Sequence, residues 1–259
     1  MEPELTLTQY NLVYNSFSFT IAVMGAATIF FWLGRSQVSA AYKTALTLTG
    51  LVTFIAFYHY VRIFESWDAA FALVDGQLQA TGVPFNDAYR YVDWLLTVPL
   101  LMVELILVMR LPRRETVAKG TRLAVLAAIM IALGYPGEIS SDDATRWLFW
   151  ALAMIPFVWI VYELYVGLRD SIAKQPEAAR GLVSAARYLT IAAWTFYPIV
   201  FLFPMIGLTG GLAETFVQVG YTIADIVAKA VFGVLIYMIA ARKSEVDSPA
   251  GSPQAAPAE

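Results

Sequence analysis

Three ionisable residues interrupt an apolar segment that is long enough to cross a lipid bilayer. In the segment RYVDWLLTVPLLMVE, the positions Arg90, Asp93, Thr97, Leu101 and Glu104 follow one another at intervals of three or four residues. At about 100° per residue, these five positions lie along one face of an α-helix over roughly 21 Å of rise. A charge inside a membrane is costly unless it is paired or lines a hydrated path, so this face predicts a functional role.

A second apolar segment carries partners for these charges. In ADIVAK, Asp225 and Lys229 lie one helical turn apart. With Arg90 and Asp93 they would form a neutral group of two cations and two anions. Glu104 would remain alone among leucine and valine residues, where burial favours the neutral acid. The pattern predicts a proton route with a gap in its middle. A structural salt bridge beside an arginine that reaches the membrane surface is the plain alternative.

Aromatic residues are available around this gap. They stand on the third, fifth and sixth apolar segments: Tyr91, Trp94, Trp150, Trp194 and Tyr197. Aromatic residues at helical spacing usually pack an ordinary core, but beside a buried lysine they can also enclose a flat conjugated ligand. A buried lysine is well suited to form a Schiff base with a carbonyl compound. The sequence therefore indicates a covalent ligand site at Lys229, with ordinary packing as the alternative.

The composition places these residues in a membrane protein. Of the 259 residues, 59% are hydrophobic and 14% are charged, and the mean hydropathy is +0.64. A soluble domain of this length cannot bury that much apolar surface. The net charge of −3 gives no indication of nucleic-acid binding. The lack of cysteine excludes disulfides and thiolate sites, and the single histidine, His59, excludes a histidine-built metal site.

Seven apolar segments are long enough to span a bilayer, and turn-forming sequences separate them. The predicted spans are residues 5–34, 42–64, 87–111, 119–138, 145–168, 186–208 and 215–241. Continuous apolar segments favour helices over the alternating strands of a barrel. The prediction is an all-α membrane protein, a seven-transmembrane-helix bundle that forms one domain over residues 1–243.

Basic residues set the predicted orientation. Thirteen of the 17 lysine and arginine residues lie beside the first, third and fifth connections or after the last span, whereas only Arg62 and Arg146 lie on the other side. The positive-inside rule therefore places the N-terminus outside and the C-terminus in the cytoplasm. Residues 244–259, which end in SPAGSPQAAPAE, are predicted to be a disordered cytoplasmic tail.

Three segments resemble helices of the microbial (type 1) rhodopsins. RYVDWLLTVPLLMVE resembles the third helix, WTFYPIVFLFP the sixth and ADIVAKAVFG the seventh. The resemblance covers the chain to about residue 243 and implies all-trans retinal bound to Lys229 as a protonated Schiff base. Asp93, Thr97 and Glu104 form the combination typical of proteorhodopsin-like and xanthorhodopsin-like outward proton pumps. The implied activity is light-driven proton transport and not enzymatic catalysis.

The same resemblance implies roles for individual residues. Asp93 would be the primary proton acceptor and Glu104 the cytoplasmic proton donor, while Asp225 and Arg90 would complete the charged group at the Schiff base. The implied retinal contacts are Lys229, Trp94, Leu101, Met130, Gly134, Trp150, Trp194, Tyr197, Pro198 and Tyr91.

Four further residues carry more specific expectations. His59 is implied to hydrogen-bond Asp93, and Thr97 to hydrogen-bond Asp93 or lie between it and the Schiff base. Pro198 lacks an N–H and would give the sixth helix a hinge. Trp150 stands where some xanthorhodopsin-like pumps have a glycine that opens a window for a carotenoid, so no carotenoid antenna is expected.

The expected partners are the lipid bilayer, the transported protons and further copies of the chain in a homo-oligomer. The expected location is the bacterial plasma membrane, with several passes. Two other functions stay open. One is a sensory rhodopsin with the same photochemistry, and the other is a retinal-free ion-coupled transporter with an ion-paired core.

Overall fold

Seven long helices form the bundle in this computed structural model, which describes residues 4–247. The helices are α1 (Leu7–Gly34), α2 (Lys43–Ala70), α3 (Ala88–Met109), α4 (Arg113–Glu138), α5 (Asp143–Ala173), α6 (Glu177–Phe201) and α7 (Gly211–Asp247). Six of them are long and apolar enough to cross a membrane, and α6 is less apolar than the others. The predicted seven-helix membrane bundle is confirmed.

Two of the helices contain a wider, π-helical turn. In α5 the segments are Asp143–Tyr162, the π turn Glu163–Gly167 and Arg169–Ala173. In α7 they are Gly211–Asp225, the π turn Ile226–Val231 and Phe232–Asp247. A π turn inserts one extra residue into a helix and is frequent at functional sites. The turn in α7 includes Lys229, so the buried lysine predicted to bind a ligand lies where that helix is irregular.

Side chains near two helix starts satisfy backbone N–H groups that the helix leaves free. At α1, the Thr6 hydroxyl accepts from the Gln9 N–H at 3.2 Å, and the Gln9 side-chain oxygen accepts from the Thr6 N–H at 2.8 Å. At α5, an Asp142 carboxylate oxygen accepts from the Thr145 N–H at 2.8 Å. These contacts are a capping box and an aspartate N-cap, and they fix where the two helices begin.

A β-hairpin connects α2 to α3, and the sequence analysis did not predict it. Strands β1 (Phe71–Val74) and β2 (Gln77–Ala80) pair antiparallel through the two-residue turn Asp75–Gly76. Both turn residues have positive φ, 52° for Asp75 and 77° for Gly76. This is the conformation that an Asp-Gly pair favours in a tight hairpin, so the signal was present in the sequence.

The ends of several helices differ from the predicted spans. α6 begins at Glu177, directly after Pro176 and nine residues before the predicted start at residue 186. The Arg187 guanidinium lies 4.3 Å from the centre of the Tyr188 ring and donates to the Tyr165 carbonyl at 3.3 Å. α6 ends at Phe201, before Pro204 and the left-handed Gly207.

The final helix extends beyond the predicted end of the domain. α7 continues to Asp247, four residues past the predicted boundary at residue 243. Residues 244–247 are therefore helical, and the prediction of disorder was wrong for them. The rest of the predicted tail, residues 248–259, lies outside the described residues.

The helices differ in how far the bundle encloses them. In the most apolar 18-residue stretch of α3, 61% of the residues are buried, against 17% in the corresponding stretch of α4. Helix α3 packs against both α2 and α4 and also touches α7. The helix that carries the predicted proton route is thus the most enclosed of the candidate spans, whereas α4 directs most of its surface outward.

Candidate functional site

Lys229 lies between two carboxylates inside the bundle. Its Nζ atom is 2.6 Å from Asp93 Oδ2 and 2.8 Å from Asp225 Oδ1, and all three residues are only 1% exposed. Asp225 precedes Lys229 by one turn of α7, and Asp93 reaches it from α3. An ion pair buried this deeply is held together because removing either partner would leave an uncompensated charge.

The two carboxylates have different surroundings. Asp225 accepts hydrogen bonds from the Tyr197 hydroxyl at 2.7 Å, the Tyr60 hydroxyl at 2.8 Å and Trp94 Nε1 at 3.1 Å. Asp93 Oδ1 is buried without a hydrogen-bond partner within residues 4–247. Three neutral donors stabilise a negative charge on Asp225, and Asp93 depends mainly on Lys229 for that stabilisation.

Arg90 lies next to this centre but does not touch its carboxylates. Its Nε donates to Asp87 Oδ1 at 2.5 Å, one terminal nitrogen donates to the Tyr60 hydroxyl at 3.3 Å, and the other donates to Gln218 Oε1. The Tyr60 hydroxyl in turn donates to Asp225. The predicted neutral group of two cations and two anions is therefore wrong in its connections. Lys229 pairs with Asp93 and Asp225, whereas Arg90 pairs with Asp87.

His59 does not make the predicted hydrogen bond to Asp93, whereas Thr97 does hydrogen-bond Asp93, through the Asp93 backbone. The His59 ring nitrogen Nδ1 lies 2.9 Å from the carbonyl oxygen of Ile55 and 3.8 Å from Asp93 Oδ1, which is too long for a hydrogen bond. The Thr97 hydroxyl donates at 2.8 Å to the backbone carbonyl of Asp93 and not to its carboxylate. In both cases a carbonyl one turn earlier on the same helix takes the hydrogen bond.

Glu104 has the isolation that the sequence predicts. Its side chain is fully buried, and neither carboxyl oxygen has a hydrogen-bond partner among the described residues. The hydroxyl of Thr49 on α2 lies near the carboxyl but donates to the Ala45 carbonyl at 3.0 Å. An unpaired charge in this position would be costly, so the structure favours a neutral, proton-carrying Glu104.

A cavity extends from Lys229 between α3, α4, α5, α6 and α7. Its lining includes all ten residues predicted to contact a cofactor: Tyr91, Trp94, Leu101, Met130, Gly134, Trp150, Trp194, Tyr197, Pro198 and Lys229. The structure thus brings the ten residues together, and their contact with a cofactor stays a prediction.

Comparison with known proteins agrees with this arrangement. The family described as "Bacteriorhodopsin-like protein" matches residues 11–243. The chain belongs to the bacteriorhodopsin-like family of microbial rhodopsins. The green-light absorbing proteorhodopsin of Gamma-proteobacterium EBAC31A08 is 32% identical over 230 residues, which cover 88% of this chain and 86% of that protein.

Two solved rhodopsins share both the fold and much of the sequence. The crystallographic structure of xanthorhodopsin, whose description is "a light-driven ion pump with dual chromophore", has 52% identity and a TM-score of 0.91 over 95% of this chain and 98% of that one. A thermophilic rhodopsin has 46% identity and a TM-score of 0.92 over 95% and 99% of the two chains. The present rhodopsin therefore has the family's architecture over almost its full described length.

Trp150 and Gly134 define opposite parts of the cavity wall in this rhodopsin. Trp150 Nε1 donates at 3.0 Å to the carbonyl oxygen of Pro198, which ties α5 to α6 at the predicted hinge. A Cβ atom placed on Gly134 would lie 3.3 Å from Cε1 of Tyr91. The glycine therefore allows the Tyr91 ring to approach α4 closely.

Several site residues of this rhodopsin were missed by the sequence analysis. Tyr60, Asp87 and Gln218 hold Arg90, and Tyr221 and Phe157 line the cavity. Phe157 follows Trp150 by two helical turns and could have been found from that spacing. Asp87 precedes Arg90 by three residues, so this pair could also have been found from helical spacing. Tyr60 and Gln218 come from other helices, and no spacing rule relates them to Arg90.

Proposed function

We propose that this rhodopsin is a light-driven outward proton pump. One observation carries the proposal: the Lys229 nitrogen touches Asp93 on α3, and a second carboxyl, Glu104, lies unpaired three turns further along the same helix. Asp93 can accept a proton from the Lys229 nitrogen, and Glu104 can return one from the other end of the same helix. This arrangement suits stepwise proton transfer. The relatives named proteorhodopsin and the ion pump xanthorhodopsin support the same function.

The cavity suits retinal as the cofactor. It is apolar and lined by aromatic rings, and at one end it reaches the Lys229 amine, to which an aldehyde can bond. Trp94, Trp194 and Tyr197 offer flat faces for a conjugated chain, and Gly134 leaves room beside Tyr91. Bound to Lys229, retinal would supply the absorption of visible light and a light-driven change of shape. The Lys229 amine of this structure stands for the protonated nitrogen of that bound form.

The surroundings of the two aspartates support Asp93 as the acceptor. Asp225 is held as an anion by three hydrogen-bond donors, so a proton on Asp225 would have to displace them. Asp93 is in direct contact with the Lys229 nitrogen through Oδ2, and its Oδ1 is free of hydrogen bonds within the described residues. Asp93 therefore accepts the proton, and Asp225 stays charged throughout, stabilised by its three hydrogen-bond donors.

Glu104 supplies the replacement proton. Because its buried carboxyl has no hydrogen-bond partner among the described residues, Glu104 stays protonated while the site is at rest, and it shares the face of α3 that carries Asp93. Water that enters from the Lys243 end of the bundle would stabilise the Glu104 anion and release the proton to Lys229.

The direction of transport follows from the proposed orientation. We place the basic Lys243 end in the cytoplasm and the Arg90 end outside, according to the positive-inside rule. The natural setting is then a bacterial plasma membrane, crossed seven times. Because the Trp150 indole closes the wall between α5 and α6 at Pro198, we also propose that a carotenoid does not bind there.

The test is light-driven acidification by cells that express the protein with added retinal. The external pH should fall in light, and a protonophore should abolish the change. Lys229→Ala and Asp93→Asn should abolish acidification, and Glu104→Gln should slow it. A coloured protein that leaves the external pH unchanged would indicate a sensory rhodopsin. A protein that stays colourless with retinal would indicate a retinal-free transporter.

A further inference from the structure

A second buried lysine closes the other end of the bundle. Lys243 lies on α7, fourteen residues after Lys229, and only 4% of it is exposed. Its Nζ donates to the backbone carbonyls of Val108 at 3.0 Å and Met109 at 2.9 Å, and to Gln175 Oε1 at 2.8 Å. All three N–H donors of the ammonium group are therefore used, and none of the acceptors is a carboxylate.

Gln175 completes this arrangement from the connection between α5 and α6. It is 5% exposed, and its side-chain nitrogen donates at 3.1 Å both to the Met109 carbonyl and to the Ser171 carbonyl. We call the group formed by Lys243, Gln175 and the carbonyls of Val108 and Met109 the Lys243 latch. It joins the ends of α3 and α7 to the α5–α6 connection through hydrogen bonds.

The latch acts on the last turn of α3. The final carbonyls of a helix have no N–H partner within it and carry partial negative charge, which a cation stabilises. Helix α3 ends at Met109 because Arg110 adopts a left-handed conformation, with φ of 51°. Lys243 and Gln175 supply the missing donors, so this end of α3 is fixed by partners on other elements.

Glu104 lies near the same end of α3 as the latch. It precedes Met109 by five residues on α3, which is about 7.5 Å along the helix. A second cavity lies on the side of the latch that faces away from the bundle interior. Its lining includes Tyr42, Arg110, Lys174 and Asp247 together with Lys243 and Gln175. The Asp247 carboxylate accepts from Tyr42 at 2.9 Å and from Arg110 at 3.0 Å. The latch therefore lies between a cavity lined by charged residues and a buried carboxyl that has no hydrogen-bond partner among the described residues.

We propose that the Lys243 latch is the gate through which water and protons reach Glu104. Lys243 is a positioning residue: it holds the end of α3 against α7, and Glu104 becomes accessible when its hydrogen bonds separate. The gate itself follows from the contacts, and its effect on proton uptake rests on the proposed pumping function.

The gate can be tested in the dark, without photochemistry. The chain contains no cysteine, so Leu105→Cys, which is fully buried next to Glu104, provides a single thiol. Labelling by a small water-soluble methanethiosulfonate should be slow in this background. Adding Lys243→Met should accelerate labelling at least about tenfold, because hydrogen bonds to a charged group are lost.

Arg242, the basic residue next to Lys243, supplies the control. Arg242 is exposed and pairs only with Glu245 on its own helix among the contacts of the described residues, so Arg242→Met removes a cation without touching α3. It should leave labelling unchanged. Gln175→Ala, which removes a latch member outside the long helices, should accelerate labelling even if Lys243→Met fails to fold. Equal labelling rates in Gln175→Ala, Arg242→Met and the parent would overturn the gate.

Flash spectroscopy then tests the consequence for proton uptake. In Lys243→Met and Gln175→Ala, transfer to Asp93 should keep its rate, and recovery of the Glu104 proton from the medium should be several times faster. Lys243→Arg, which keeps the charge, should return recovery toward the parent rate. If labelling accelerates but recovery does not, uptake does not pass the latch. If no variant pumps and labelling still accelerates, only the proposed pumping function fails.

Discussion

The two ends of α3 place carboxylic acids in opposite surroundings. Around Asp93 the bundle gathers a lysine, a second aspartate and hydrogen-bonding aromatic residues, whereas around Glu104 it provides almost nothing polar. Both positions are fully enclosed, so burial alone does not decide whether an acid is charged. The partners decide it: a cation within hydrogen-bond distance keeps one acid ionised, and the lack of a partner keeps the other neutral.

Removing the cation from the charged end should have the largest effect. Lys229→Ala leaves two carboxylates buried together with no cation between them, and it removes the amine needed for retinal. We expect complete loss of visible absorption and of light-driven acidification, measured on purified protein and on cells. The exposed Lys174→Ala is the matched control and should retain both. A coloured Lys229→Ala protein would contradict the proposed attachment.

Changing the isolated acid should slow the cycle without stopping it. Glu104→Gln keeps the shape of the side chain but cannot release a proton, so the Lys229 nitrogen must regain its proton by another route. We expect that step to slow by about 100-fold or more, the usual contribution of a positioned acid or base. Flash spectroscopy measures it. Unchanged recovery would show that Glu104 is only a buried structural residue.

A smaller effect is expected from a neutral member of the charged end. Tyr60 donates to Asp225 and accepts from Arg90, so Tyr60→Phe leaves buried polar groups without a partner. The free energy of unfolding should fall by about 1–3 kcal/mol, the cost of an unsatisfied buried group. Tyr58→Phe, at an exposed position on the same helix, is the control. A result equal to that of Tyr58→Phe would show that water replaces the Tyr60 hydroxyl.

The smallest effect is expected at Asp142, an exposed acid that serves as a reference for the two buried acids of α3. The hydrogen bonds from the Thr145 hydroxyl and N–H lower the pKa of Asp142 below its usual value. The folded state therefore favours the charged form. The stabilisation is present at neutral pH and is lost as the pH falls through the lowered pKa. Asp142→Ala should give a slightly lower melting temperature at pH 7, and the difference should shrink in acid.

Sequence spacing was sufficient where the functional residues share a helix. The steps from Arg90 to Glu104 and from Asp225 to Lys229 place side chains on one face, and the structure shows them there. The predicted cavity residues also lie together, because each reaches inward from its own helix. The number of helices followed from hydropathy in the same way.

Contacts between helices were harder to predict. Arg90 was expected to balance the aspartates, but Asp87 at the start of α3 and Gln218 on α7 bind it first. His59 was expected to reach Asp93, but a carbonyl on its own helix is closer. Gln218 reaches Arg90 from another helix, and the sequence alone does not give that packing. Asp87 lies only three residues before Arg90, so this pair was within reach of helical spacing. The hairpin was different, since its Asp75–Gly76 signal was present and was overlooked.

The π turn at Ile226–Val231 has a consequence for the engineering of α7. Deleting one residue from it would restore a regular helix, but it would also rotate the segment that follows by about 100° relative to the segment before it. Asp225 and the Lys243 latch could then no longer both keep their present partners. The π turn therefore sets the rotation of the second half of α7 about its axis, so that one helix can supply both Asp225 and Lys243 to their partners.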